Sequence, residues 1–167
     1  DQRCVRLGVR RIAFSRSGGF VLNGKRLRLR GTNRHQEYPY LGYALPRAAQ
    51  YRDAKRIKEA GFDYVRLSHY PQSPDFLDAC DELGIVVMNA IPGWQFIGGE
   101  RFCRACFQAA RDLVQRDRNH PCVVLWELSL NETEMPDEFM AELHKIGHEE
   151  YPGDQLFTCG WKDRFDV

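Results

Sequence analysis

Apolar and polar positions alternate along residues 6–14, the period of a half-buried β-strand. Two further β runs, Phe20-Val21-Leu22 and residues 26–29, flank Asn23-Gly24-Lys25. An Asn-Gly pair between β runs predicts a hairpin, because both turn residues tolerate positive φ. Beyond it the pattern becomes a strand–helix rhythm. A strand over residues 27–31 leads through a long loop to a helix over 47–60, stopped at Gly61. Strand Tyr64–Leu67 leads to helix Pro74–Leu83, stopped at Gly84. A strand over 85–88 precedes a helix over 100–116, and a strand over 123–128 precedes a helix over 137–149. Leu156–Cys159 is the last strand.

Strands alternating with helices predict an α/β fold with a parallel sheet and right-handed crossovers. The strands are short and rich in Val, Ile and Leu, as expected when helices cover the sheet. Their polar residues gather at one end. Asn33, Arg34 and His35 follow the first strand, and Arg66, Ser68, His69 and Tyr70 end the second. Asn89, Trp94 and Gln95 follow the third, Asn131 and Glu132 the fourth, and Trp161 the fifth. An α/β barrel keeps its active site there, and so does an open α/β sheet.

Composition narrows the class. With 167 residues, 43% of them apolar, one globular domain is expected. A formal net charge of +1 argues against a dedicated nucleic-acid or membrane-surface role. The ten Lys and Arg of residues 1–34 stand against a single acid, Asp1, and a strand would set Arg26, Arg28 and Arg30 on one face, either solvated or carboxylate-paired, or else open to a polyanion. No apolar run reaches the length of a membrane span, and no signal-peptide pattern is present. The chain opens on Asp1 rather than Met, which reads as a piece of something longer. Six Cys show no framework spacing, and Cys103-x-x-Cys106 falls inside a predicted helix, so structural thiols are expected.

Chemistry concentrates at Glu132. Glycoside cleavage needs one carboxyl group to protonate the leaving oxygen and another to attack or to activate water. Glu132 suits the first role if its surroundings raise its pKa, and Asn131 would donate to a sugar hydroxyl beside the reacting carbon. A solvated Glu is the alternative, with Glu134 and Asp137 close by. His35 and His69 are open to structural or substrate roles. Arg66 could hold a carboxylate or close an ion pair across strand ends. Trp94 and Trp161 could stack on a sugar or belong to the core, whereas mid-strand Trp126 reads as core. No zinc spacing, phosphate loop, dinucleotide fingerprint or Gly-x-Ser-x-Gly elbow occurs.

Five ordered motifs then point to a family. They are Phe20-Val-Leu-Asn-Gly-Lys25, Arg30-Gly-Thr-Asn-Arg-His35, Val65-Arg-Leu-Ser-His-Tyr-Pro71, Cys80-Asp-Glu-Leu-Gly84 and Arg116-Asp-Arg-Asn-His-Pro121, followed by Asn131-Glu132. The chain resembles the catalytic barrel of glycoside hydrolase family 2, which includes β-galactosidases, β-glucuronidases and β-mannosidases. The resemblance implies a retaining exo-β-glycosidase. Glu132 would be the general acid/base, Asn131 a hydroxyl ligand, His35 and His69 sugar contacts, and Arg66 the arginine that steadies the nucleophile. Residues 1–17 would end an immunoglobulin-like sandwich, its last strand within residues 1–14. Residues 18–167 would form about the first five strands of a (β/α)8 TIM barrel. The substrate would be a carbohydrate, with no required cofactor, although some relatives bind Mg or Na ions. A homo-oligomeric parent fits the resemblance, and relatives work in cytoplasm, periplasm or lysosome.

Two departures bear on specificity. Many members carry Asp-Glu after the third strand, where this chain has Asn89-Ala90. Many read Trp-Ser-Leu-Gly-Asn-Glu, where this chain has Trp126-Glu-Leu-Ser-Leu-Asn-Glu132, one residue longer, which predicts a strand-end bulge. With Trp94 and Trp161, these features resemble the β-galactosidase-like branch. The family's nucleophile would lie beyond Val167, so the chain alone is expected to be inactive. β-Glucuronidase, β-mannosidase and a carbohydrate-binding pseudoenzyme remain the alternatives.

Overall fold

A computed structural model of the chain describes residues 2, 4, 7–153 and 156–160. Strands β1 (Ile12–Ser15), β2 (Gly19–Leu22) and β3 (Lys25–Leu27) form a three-stranded antiparallel sheet. The Asn-Gly hairpin joins β2 to β3, with Asn23 and Gly24 at φ of 50° and 79°. Asn23 also ties back to the residue before β1, its Oδ1 accepting from the Arg11 N–H at 2.9 Å.

The main body is a five-stranded parallel sheet in the order β4 (Gly31–Arg34), β5 (Tyr64–Leu67), β6 (Val86–Ala90), β7 (Val123–Ser129) and β8 (Leu156–Cys159). Helices α1 (Arg47–Glu59), α2 (Pro74–Leu83), α3 (Glu100–Asp117) and α4 (Asp137–Glu150) connect successive strands. Sequential parallel neighbours joined by helices are the winding of a (β/α)8 barrel, of which five strands are present here. The helix ends obey local chemistry. Ser73 caps α2 by accepting from the Asp75 N–H at 3.2 Å, Pro74 starts it, and Gly84 ends it in the left-handed region at φ 68°. Strand alternation sends Val65, Leu67, Val87, Trp126 and Leu128 into the core beneath the helices, and a register shift between β6 and β7 puts Val123 on the same side. Trp126 is fully buried there, as its mid-strand position predicts.

The start of the barrel differs from expectation. The first parallel strand is Gly31–Arg34, not residues 27–31, because Lys25–Leu27 completes the hairpin. Asp63 accepts from the Arg30 N–H at 2.7 Å, while the Arg30 carbonyl accepts from the Asp63 and Tyr64 N–H groups. Gly31 lies so close to the Tyr64 ring that a Cβ there would collide with it. The first β run is also shorter than residues 6–14. Ile12–Ser15 pairs with β2, residues 7–11 form no strand, and residues 1, 3, 5 and 6 lie outside the described residues.

Two polar residues expected at the strand-end mouth face the helices instead. Arg34 is buried and donates to Gln72 Oε1 at 2.6 Å, Gln50 Oε1 at 2.8 Å and Asp53 Oδ2 at 2.8 Å, its guanidinium 3.9 Å from the Phe76 ring centroid. Asn89 lies within β6 rather than after it, and donates to Asp117 Oδ2 at 2.6 Å. In both cases strand parity sets the face.

The Arg116–Pro121 motif carries the chain from the end of α3 towards β7. Arg116 grips Asp117 with two nitrogens and reaches the Gln72 carbonyl. Asp81 Oδ2 meets His120 Nδ1 at 2.7 Å, and its Oδ1 accepts from the Cys122 N–H at 2.8 Å. Burial disfavours the charged imidazole, but the Asp81 hydrogen bond and charge, aided by Asp117 and Asp78, leave the His120 pKa raised. A pKa raised in the folded state stabilises most fully below the unfolded value, and that stability is lost as pH rises through the folded value. Melting curves from pH 5.5 to 8.5 should show this loss, and His120→Asn should flatten it. The cysteine expectation fits this packing: Cys80, Cys103, Cys106 and Cys122 are free thiols, Cys103 and Cys106 lie on α3, and burial raises the Cys80 and Cys122 pKa values.

Candidate active site

Strand β5 sends Arg66 to the inner face of the sheet, and β7 sends Glu127 to meet it. Arg66 Nε donates to Glu127 Oε2 at 2.9 Å, and Nη2 donates to Glu127 Oε1 at 2.5 Å. Nη2 also reaches Asn131 Oδ1 at 2.6 Å. Glu127 is only 2% exposed, so Arg66 holds its charge in a nearly dry setting. Tyr64, two residues before Arg66, feels the same carboxylate. Burial first, and then the Glu127 charge, push its phenol to about 12, while Arg66 pulls the other way.

The predicted bulge is present: the β7–β8 register shifts between Glu127 and Ser129. Leu130 then turns into the core, and Asn131 and Glu132 emerge at the carboxyl edge. Glu132 is exposed and adopts φ 54°, an uncommon conformation for a residue with a Cβ. Across from it, Gln95 at φ 57° donates from Nε2 to Glu132 Oε2 at 3.2 Å. The Gln95 N–H donates to Thr133 Oγ1 at 2.9 Å, which ties the β6 loop to the β7 loop. Left-handed backbone at two bonded, non-glycine positions is the strain that functional loops carry.

An aromatic wall stands beside the carboxylate. The His69 and Trp94 rings stack with centroids 5.1 Å apart and planes 17° apart. His35 meets His69 edge-on at 5.8 Å and lies 6.1 Å from Tyr70. Tyr70 Oη accepts from the Gln36 N–H at 2.8 Å, and Gln36 Oε1 accepts from the Ser73 N–H at 2.7 Å, so the loops after β4 and β5 are bolted together. Burial, then the charges of Arg66 and His35, lower the His69 pKa against the opposing pull of Glu132. His69 is therefore biased towards the neutral imidazole, and its buried Nδ1 has no partner among the described residues. Trp94 remains 42% exposed, with ring surface free to receive a ligand.

Of the expected site residues, His35, Arg66, His69, Trp94, Asn131 and Glu132 all cluster at this edge, while Trp161 lies outside the described residues. Sequence reasoning missed Glu127, and gave Gln95 no role. The available signal for Glu127 was one carboxylate between the apolar run Val123-Val124-Leu125-Trp126 and Leu128, where an ionised group needs a partner.

The arrangement offers a solvent-accessible carboxylate, a neutral-leaning imidazole, an amide and an aromatic face. That set can exchange a proton with a polar ligand and stack on its apolar side. Among the described residues, one trio elsewhere has metal-ligand chemistry: Asp81, His120 and Cys122 place donor atoms within 4.8 Å of one another. Both Asp81 oxygens already accept hydrogen bonds, and burial keeps the Cys122 thiol protonated, so the trio is a packed corner.

The family model described as glycosyl hydrolases family 2, TIM barrel domain, matches residues 14–149. A β-galactosidase from Thermoanaerobacterium thermosulfurigenes is 47% identical over 150 residues, covering 89% of this chain and 21% of that protein. The apo structure of Bacteroides uniformis β-glucuronidase 3 superposes with a TM-score of 0.80 at 36% identity, over 87% of this chain and 20% of that one. A β-glycosidase structure from Bacteroides vulgatus gives a TM-score of 0.84 at 32% identity, over 92% and 21%. The chain thus spans about a fifth of the length of the relatives it matches.

Proposed function

The chain belongs to glycosyl hydrolase family 2, and from that premise we propose that the intact protein is a retaining exo-β-glycosidase acting on terminal β-galactosides. The observation that carries this reading is the exposed Glu132 beside Asn131, with the amide anchored to Arg66 and the carboxylate facing the His69–Trp94 wall. In the proposed mechanism Glu132 protonates the glycosidic oxygen as the bond to the sugar breaks. A Glu from a later strand of the barrel attacks the anomeric carbon and forms the glycosyl-enzyme. Glu132, now a carboxylate, takes a proton from water, which hydrolyses that intermediate.

His35 and His69 are proposed to hydrogen-bond the sugar hydroxyls. Trp94, and Trp161 with it, are proposed to pack on the apolar face of the sugar. The chemistry as written needs proton transfer and a carboxylate nucleophile from the protein, and no cofactor enters it. β-Galactoside is favoured by the 47% identity to a β-galactosidase. β-Glucuronide is the second reading, supported by the 36% identity to a solved β-glucuronidase.

A panel of nitrophenyl β-galactoside, β-glucuronide and β-mannoside assayed with the intact protein separates the readings. Turnover of the galactoside at ten times the kcat/KM of the others or more is expected. Preference for the glucuronide would replace the galactoside reading. Sugar binding with no turnover of any β-glycoside would leave a carbohydrate-binding module instead.

A further inference from the structure

Glu127 has no part in the proton and bond changes above, yet it is the most deeply buried charge at the site. Both of its oxygens are engaged by Arg66, on Nε and Nη2. A fork-to-fork pair of this kind fixes the plane of the guanidinium as well as its position. Arg66 has only donors, so the Asn131 atom it meets must be the amide oxygen. The Asn131 Nδ2 donors are thereby turned away from Arg66, leaving them to bond elsewhere.

We propose that Glu127 is a positioning residue: it locks Arg66, and through Arg66 it holds the Asn131 amide with its N–H donors turned towards the sugar hydroxyl next to the reacting carbon. This rests on the glycosidase reading for the identity of the ligand. Its consequence is specificity for that hydroxyl. Without Glu127 the guanidinium is free to swing, and the amide can flip to present an oxygen. The length of the segment follows from the same device. The extra residue between Trp126 and Glu132, accommodated by the shift between Glu127 and Ser129, lets one strand supply both the lock at Glu127 and the held group at Asn131.

The test reads binding, so it does not depend on turnover. Ligand-observed NMR titrations compare methyl β-galactoside with its 2-deoxy analogue, and methyl β-glucuronide with its 2-deoxy analogue, on the intact protein and on Glu127→Gln. The wild type should favour one 2-hydroxy sugar over its deoxy partner roughly three- to tenfold, the worth of one hydrogen bond. Glu127→Gln should abolish that preference, as Asn131→Ala should, while leaving affinity for the deoxy sugar unchanged. Should Glu127→Gln fail to fold, the double variant Arg66→Met/Glu127→Leu removes both charges together, avoids an orphaned buried ion and should show the same loss. A preference retained in these variants, or an equal weakening of both sugars, overturns the positioning role alone. A wild type that binds neither pair overturns the glycosidase reading as well.

Discussion

Glu132→Gln in the intact protein is expected to lower kcat/KM for an alkyl β-galactoside by about 10²–10⁴-fold, the usual worth of a positioned proton donor, and to leave kcat/KM for the dinitrophenyl galactoside within a few fold. An alkoxide is a poor leaving group and needs its proton as the bond breaks, whereas dinitrophenolate leaves without one. Because kcat/KM reports the first irreversible step, only the substrates that need acid assistance should suffer in it. The value of kcat should fall for both, since water must then attack the glycosyl-enzyme without a base, and KM for the dinitrophenyl substrate should fall with it as the intermediate accumulates. Gln keeps the size of the side chain, although it places an amide opposite the Gln95 amide that now donates to Oε2. An equal loss on both substrates would mean that Glu132 holds the loop or the sugar and does not transfer the proton.

Arg34→Met should be the most damaging single change to stability, at about 3–5 kcal/mol, as for other buried charge networks that lose one partner. Methionine occupies similar volume and can still lie over Phe76, so the loss is electrostatic more than steric. Three acceptors lose their donor: the Gln50 and Gln72 amide oxygens and one oxygen of Asp53. Gln50 and Gln72 are 0% and 1% exposed, so water cannot replace the guanidinium, and each stranded oxygen costs about 1–3 kcal/mol. Asp53 keeps a quarter of its surface in solvent and can rehydrate. For a unit of this size the change corresponds to a melting temperature roughly 6–20 °C lower. Glu59→Ala, which cuts only the exposed Lys55–Glu59 pair, should cost under about 0.5 kcal/mol in the same melting experiment.

The two residues also show how far the sequence could be read. The βα rhythm was legible because Gly61 and Gly84 punctuate helices whose apolar spacing differs from that of the strands around them. The clustering of Arg66, Asn131 and Glu132 followed from their places at strand ends. The first parallel strand was harder, because Gly31-Thr-Asn-Arg34 carries no apolar signal, while Leu27-Arg-Leu29 alternates and attracts the assignment. Its true position depends on Asp63 and Tyr64, more than thirty residues away. Arg34 and Asn89 were expected at the mouth because they stand near strand ends. A residue still inside the strand takes its face from parity, and both fall on the helix side. Glu127 was passed over for the opposite reason: it sits between an apolar run and Leu128, and only the three-dimensional approach of Arg66 explains its charge.

The most direct test of the acid/base assignment is azide rescue of Glu132→Ala in the intact protein, with dinitrophenyl β-galactoside as substrate and the product examined by NMR. Azide needs no general base to attack a glycosyl-enzyme, and it fits the space left by the missing carboxyl group. Azide should restore turnover at least tenfold and yield the β-galactosyl azide, its anomeric configuration retained. Turnover that ignores azide, or an α-azide product, would contradict both the role of Glu132 and the retaining mechanism.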